Sequence, residues 1–136
     1  MEHKISKWDI KDAHNLINTL RDLWQYKTYF VENWGLDHIY KKNPVLLLEL
    51  HTAGWSGNED IIEELEKNML FWNMWWWKTE RGGHYYFEID FSQIGFVPVS
   101  QFVKENNITR QYVSKAKHKY DWIEISKGKK LIRKKL

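Results

Sequence analysis

Val97-Pro98-Val99-Ser100-Gln101-Phe102-Val103-Lys104-Glu105-Asn106-Asn107-Ile108-Thr109-Arg110-Gln111-Tyr112-Val113-Ser114-Lys115-Ala116 is the stretch on which the reading of this chain turns. Ser100 stands where a side-chain oxygen caps a first short helix, with Phe102 and Val103 on its inward side. Asn107 falls at a sharp corner that wants a left-handed residue; glycine is the usual choice there and asparagine the next most tolerant. Ile108 plugs the corner, and Thr109 caps a second helix whose inner face is Tyr112, Val113 and Ala116. The outward positions are then Arg110, Gln111, Ser114, Lys115, Lys117 and Lys119, hydrogen-bonding groups near the helix start and cations toward its end.

Toward the C-terminus, Trp122–Ser126 reads as a strand, Lys127-Gly128-Lys129-Lys130 as a turn and Leu131–Lys134 as the returning strand. Two short helices followed by a lysine-tipped hairpin resemble the winged helix-turn-helix superfamily, and the resemblance covers residues 96–136. It implies a module for double-stranded DNA, with the second helix in the major groove and the hairpin tip along the sugar-phosphate backbone. Under that resemblance Thr109, Arg110, Gln111 and Ser114 carry base readout, while Lys115, Lys117, Lys119, Lys127, Lys129 and Lys130 hold phosphates. One position departs from the pattern: Val103 stands where a small residue is usual, which forces the helices slightly apart. A generic pair of packed helices is the alternative, and it keeps the same basic face.

Charge is distributed to match. Residues 96–136 carry eleven Lys/Arg against three Asp/Glu, a balance of +8; residues 1–95 carry ten against fifteen, a balance of −5. A net charge of +3 for the whole chain hides this split, which marks an anion-binding segment joined to a body with another task. The segment is not low-complexity, and its apolar residues recur at folding intervals. There is no cysteine, so disulfides, thiolate nucleophiles and thiolate metal sites are excluded. No charged stretch followed by an apolar run opens the sequence, and the apolar runs Val45–Leu48, Met69–Trp72 and Met74–Trp77 are too short to span a bilayer. The expectation is a soluble, cytoplasmic protein without a membrane partner.

The body reads as α+β. Ile10, Ala13, Ile17, Leu20 and Trp24 set a helix over about residues 9–26, Tyr29–Val31 is extended, and Leu36–Lys41 makes a short helical turn. Pro44 precedes a buried strand, Val45–His51. After a loop over 52–57, a helix over 59–70 is expected to bury Ile61, Ile62, Leu65 and Met69; Ser56 and Asn58 both offer cap oxygens, and Ser56 and Glu59 stand at capping-box spacing. An aromatic hairpin follows: Phe71–Lys78, a turn at Thr79–Gly83, and His84–Phe91, in which Tyr85, Phe87, Ile89 and Phe91 alternate with polar residues. Domains of 1–95 and 96–136 are expected, joined by the short Ser92–Gly95 segment and packed on each other.

Within the body, Leu50-His51-Thr52-Ala53-Gly54-Trp55-Ser56-Gly57-Asn58-Glu59 and, after an aromatic stretch, Arg81-Gly82-Gly83-His84-Tyr85-Tyr86-Phe87 resemble a group of small uncharacterised phage-encoded proteins. The resemblance implies a phage or prophage origin and carries no activity with it. The residues themselves mark His51, Trp55, Ser56, Glu59, Arg81 and His84 as a second contact surface. Three chemistries are open to them: an anion pocket at a helix start beside Arg81, a general base at His51 or His84 oriented by Glu59, and a divalent ion held by both histidines and a carboxylate. Structural duties compete with all three: Trp55 stapling a loop, Ser56 and Glu59 capping a helix, Gly82-Gly83 serving a turn. Without a metal-binding motif or paired carboxylates, no enzyme, cofactor or metal is expected. The run Trp72, Trp75, Trp76, Trp77, Tyr85, Tyr86 has few cations interleaved, so core packing or a homodimer interface is favoured over a nucleic-acid stacking platform. The expected function is a phage DNA-binding protein with a regulatory or accessory role. The alternative is a phage inhibitor of a host protein, such as a defence factor, acting through the Trp-rich body.

Overall fold

A computed structural model describes residues 2–36, 43–126 and 128–136. The architecture is α+β, and the chain divides into two compact units, Met1–Asp90 and Phe91–Leu136. The division falls five residues before the expected one. Phe91 begins a short turn of helix, its carbonyl accepts from Phe96 N at 3.1 Å, and the two rings meet edge to face at 6.0 Å, so 91–95 folds back on the second unit's own residues.

The first unit is a four-stranded antiparallel sheet with helices. Its strands are β1 (Phe30–Leu36), β2 (Pro44–His51), β3 (Trp76–Glu80) and β4 (His84–Ile89), in the order β1-β2-β4-β3. The helices are α1 (Glu2–Ser6), α2 (Ala13–Leu23), α3 (Ser56–Lys67) and α4 (Met69–Trp75). Leu46, Leu48 and Leu50 of β2 share one face with Phe87 and Ile89 of β4, and all five are buried. On α2, Ala13, Leu16, Ile17 and Leu20 form the stripe that the sequence periodicity marks, and Ile61, Ile62 and Leu65 do the same on α3. A short 3-10 turn, Ile10–Asp12, precedes α2, so the expected single helix over 9–26 is broken at its start and ends at Leu23.

Two corrections concern the aromatic segment and the α3 start. Residues 71–75 are helical, where a strand was expected. Asn68 caps α4 by accepting from Phe71 N at 3.3 Å, while its amide donates to Ile5 O and Trp8 O at 3.0 and 3.1 Å. The buried pair Phe71 and Trp75, four residues apart and edge to face at 5.4 Å, is a helical spacing that the high strand propensity of tryptophan conceals. Trp72 and Trp76, also four apart, stack with rings 13° from parallel. The strand starts only at Trp76, with an irregular register between Trp76 and Lys78. At α3, the helix begins at Ser56 itself, with Trp55 in the cap position and no side-chain cap, so the Ser56–Glu59 capping box does not form. Leu36 belongs to β1, and the remainder of the expected turn over Leu36–Lys41 lies outside the described residues.

The second unit comprises β5 (Val97–Pro98), α5 (Val99–Glu105), α6 (Arg110–Lys115), β6 (Tyr120–Ser126) and β7 (Lys129–Lys134), with sheet order β5-β7-β6, all antiparallel. Its core is Phe102, Val113, Ala116, Tyr120 and Ile132, flanked by Val97, Val99, Val103, Ile108 and Trp122. Phe102 of α5 meets Tyr120 of β6 edge to face at 5.4 Å. Both strands of the hairpin are longer than expected: β6 begins at Tyr120, because Tyr120 and Asp121 pair with Lys134 and Arg133, and β7 begins at Lys129, which pairs with Ser126 beside the turn.

Candidate nucleic-acid interface

The corner between α5 and α6 is built by backbone geometry. Asn107 adopts φ +53°, Asn107 N donates to Lys104 O at 3.4 Å and Ile108 N donates to Val103 O at 3.0 Å. This reversed pair of hydrogen bonds across a left-handed residue satisfies the last carbonyls of α5, and it seats Ile108 against the core. Asn106 adds a side-chain bond to Phe102 O at 2.9 Å. Thr109 caps α6 as expected, its hydroxyl oxygen accepting from Tyr112 N at 3.1 Å. That commitment makes Thr109 a positioning residue first, although the sequence reading placed it with the base-reading group.

Two expectations for these helices are corrected. Ser100 is not the cap of α5: the helix starts at Val99 with Pro98 in the cap position and no side-chain hydrogen bond. Proline has no N–H to leave unsatisfied and its fixed φ suits a helix entry, so the strand β5 runs straight into α5 without a polar cap. Tyr112 is not on the inner face; it is exposed, and its hydroxyl lies 3.3 Å from Lys119 Nζ. Val113 and Ala116, three apart, are the residues of this segment that join the core.

Arg110, Gln111, Ser114, Lys115, Lys117 and Lys119 are all exposed. Trp122 links this region to the hairpin. Its indole N–H donates to Lys117 O at 3.1 Å, and Lys130 Nζ sits 5.7 Å from the ring centroid. One side chain thus fixes the segment after α6 beside a cation of β7. Lys129 is exposed at the start of β7, Gly128 takes φ +80° in the turn, and Lys127 lies outside the described residues. Sequence reasoning missed Gln101 and Lys104, which line a shallow groove of about 730 Å³ with Asn107 and Arg110. The signal was present: Gln101 and Lys104 are three apart on the polar side of α5.

Arg133 differs from the other cations. Its guanidinium donates to Asp121 Oδ2 at 3.0 Å and to Ile94 O at 2.9 Å, lies 4.4 Å from the Phe96 ring centroid, and the residue is 5 % exposed. It locks β7 to β6 and to the 91–96 turn, so it contributes to the +8 balance without offering a charge to a ligand.

In the first unit, the six residues singled out by the motif are not one cluster. His51 and His84 are cross-strand partners on β2 and β4, with Nδ1 atoms 2.7 Å apart. Trp55, Ser56 and Glu59 stand at the start of α3, and Trp55 packs on the exposed Tyr26 with ring centroids 5.0 Å apart. Arg81 is exposed in the β3–β4 turn. Among the described residues no hydrogen bond or ion pair joins Glu59 to either histidine or to Arg81, so the general-base pair suggested by sequence is not assembled. No group of three or more histidine or carboxylate residues is set to hold a metal ion among the described residues.

The motif instead encodes a joint. Asn58, fully buried, accepts from Gln25 N at 2.9 Å and donates to Gln25 O at 3.2 Å and Thr52 O at 3.4 Å. Thr52 N donates to Gly83 O at 2.9 Å, tying the 52–55 loop to the hairpin turn. Beside the histidines, the Tyr86 hydroxyl donates to Glu80. That bond pushes the tyrosine up to about 12 and, together with Lys78, holds the Glu80 carboxyl below its usual range. Lys78 Nζ lies 4.7 Å from the Tyr86 ring centroid and 4.8 Å from that of Trp77.

Among the described residues no helix is long and apolar enough to cross a membrane. Comparison with known proteins finds no matching family model, no matching curated protein and no matching solved structure.

Proposed function

We propose that residues 91–136 are a winged helix-turn-helix module for double-stranded DNA, and that the chain is a phage- or prophage-encoded DNA-binding protein with a regulatory or accessory role. The observation that carries this reading is the Trp122 bridge, which holds the Lys117 backbone carbonyl at the indole N–H and Lys130 Nζ 5.7 Å from the same ring, while α6 leaves Arg110, Gln111, Ser114 and Lys115 free of the core. Arg110 and Gln111, in the first turn of α6, have the donors and acceptors to read base edges; the lysines supply affinity that is independent of sequence. Binding of a short duplex by the intact chain, followed by fluorescence anisotropy across a salt series, tests it. Removing two phosphate contacts with Lys129→Ala and Lys130→Ala is expected to lower the slope of log K against log salt by about 1–2. An unchanged slope, or no salt-sensitive binding by the unaltered protein, sinks the reading.

A second reading is supported by a separate surface. Met69 and Leu70 at the start of α4 are 69 % and 60 % exposed, and Trp76 and Trp77 at the start of β3 are 42 % and 50 % exposed. Large apolar side chains left in water are the anchors that protein interfaces use, and here they would engage a host protein that the phage inhibits. On this reading Leu70→Lys with Trp77→Ala abolishes the host phenotype of the intact chain while the salt slope for duplex DNA is unchanged. Retention of the phenotype removes it.

A further inference from the structure

We propose that His51 and His84 form a two-histidine site for a divalent transition-metal ion of the Zn2+ class on the sheet of the first unit. The two residues are directly opposite each other in the β2–β4 ladder. Because Thr52 N bonds to Gly83 O at the next position, the 51/84 pair is a non-hydrogen-bonded one, where facing side chains come closest. Their Nδ1 atoms approach to 2.7 Å with ring centroids 4.9 Å apart. Two imidazole nitrogens at that distance are within hydrogen-bond reach, and in the tautomer that carries its proton on the outer nitrogen each ring has an Nδ1 lone pair to offer. Metal–nitrogen bonds of about 2.0–2.1 Å place two tetrahedral ligands about 3.3 Å apart, so a small rotation of either ring admits the ion in place of the proton.

The surroundings suit a cation. Glu49 Oε2 lies 3.5 Å from His51 Nε2, on the outer side of the ring, which leaves Nδ1 as the nitrogen facing His84. Glu80 is paired with His84 on its other side, so His51, His84 and Glu80 occupy one row across β2, β4 and β3. Glu49 and Glu80 offset the positive charge of the ion, while Lys78 beside Tyr86 opposes it. Water fills the remaining positions, since only two protein nitrogens converge. The ion would pin β2 to β4 one residue from the Thr52–Gly83 hydrogen bond, adding a cross-strand tie where the loop and the hairpin turn join.

Titration of the intact chain with ZnCl2, followed by calorimetry and by thermal unfolding with and without chelator, tests the site. One equivalent is expected to bind and raise the midpoint; His51→Gln or His84→Gln is expected to weaken binding about tenfold or more, a change in ligand number rather than in fold. Circular dichroism verifies that each variant is folded. A second measurement needs no substitution: Co2+ added to the native protein should broaden the ring resonances of His51 and His84 before those of His14 and His118. Zn2+ affinity unchanged in both variants, or broadening that begins at the other histidines, overturns the proposal, as does the absence of binding at about 1 mM metal.

Discussion

Gly83→Ala is expected to destabilise the first unit by about 2–5 kcal/mol, from a left-handed backbone penalty of about 1–2 and an overpacking cost of about 1–3. Gly83 has φ +83°, and a methyl group there would stand 2.2 Å from Thr52 Oγ1 and 3.4 Å from Thr52 Cβ. Thr52 cannot yield easily, because it is 2 % exposed and its own N–H is bonded to Gly83 O at 2.9 Å. Relief therefore requires the loop and the hairpin turn to separate, which breaks that bond and disturbs the register of His51 with His84. Gly54→Ala is the internal control. Gly54 also has a positive φ, +75°, but nothing lies within 4 Å of an added Cβ, so only the backbone penalty of about 1–2 kcal/mol applies. Urea unfolding of both variants separates the two contributions, and equal losses would show that the Thr52 contact costs nothing.

Arg133→Met should lower the stability of the second unit by about 2–4 kcal/mol, because it leaves Asp121 without its partner in a half-buried position. It also removes the bond to Ile94 O and the contact with Phe96, which hold the 91–96 turn against β7. Lys134→Met removes the same formal charge one residue away from an exposed position, and is expected to change stability by less than about 0.5 kcal/mol. Adding Asp121→Leu to Arg133→Met removes the stranded carboxylate and should recover part of the loss. Chemical unfolding of the three variants decides the matter. If Arg133→Met behaves like Lys134→Met, the guanidinium is a surface charge after all. Loss of duplex binding in Arg133→Met would then follow from unfolding, and it would be distinguished from loss of a phosphate contact by the unfolding curve itself.

The corner of the second unit was legible because its signals are local. A left-handed asparagine, a threonine cap and a run of apolar residues at three- and four-residue steps act within a few residues of chain, and all three are where the sequence places them. Its errors came from positions with two local solutions. Ser100 and Pro98 can each start a helix, and the strand β5 that ends at Pro98 decides between them only through its pairing with β7. Tyr112 fits the helical stripe as well as Val113 does, yet Val113 is buried and Tyr112 is exposed.

The aromatic segment shows the same contest at larger scale. Trp72, Trp75, Trp76 and Trp77 favour strand by propensity, and nothing in their spacing alone excludes it. What decides is Asn68, whose carbonyl oxygen caps α4 while its amide holds the chain at Ile5 and Trp8, sixty or more residues earlier. The second contact surface was half legible. The pairing of His51 with His84 follows once β2 and β4 lie in register, whereas Asn58 offers the sequence only a cap oxygen and is instead buried within α3, bonded to Gln25 and Thr52.

From sequence alone the chain is a +8 segment after a −5 body, with a helix-capped corner, a lysine-tipped hairpin and no cysteine chemistry. These follow from composition and from contacts between near neighbours, which any fold of this chain must honour. Only the tertiary structure decided which cations remain available and which polar residues are internal braces. Arg133 and Lys134 are adjacent and alike on paper, yet the alternation of β7 turns one toward Asp121 and Phe96 and the other toward water. Burial and partner distance are properties of segments brought together from afar, and no window of sequence contains both sides of such a contact.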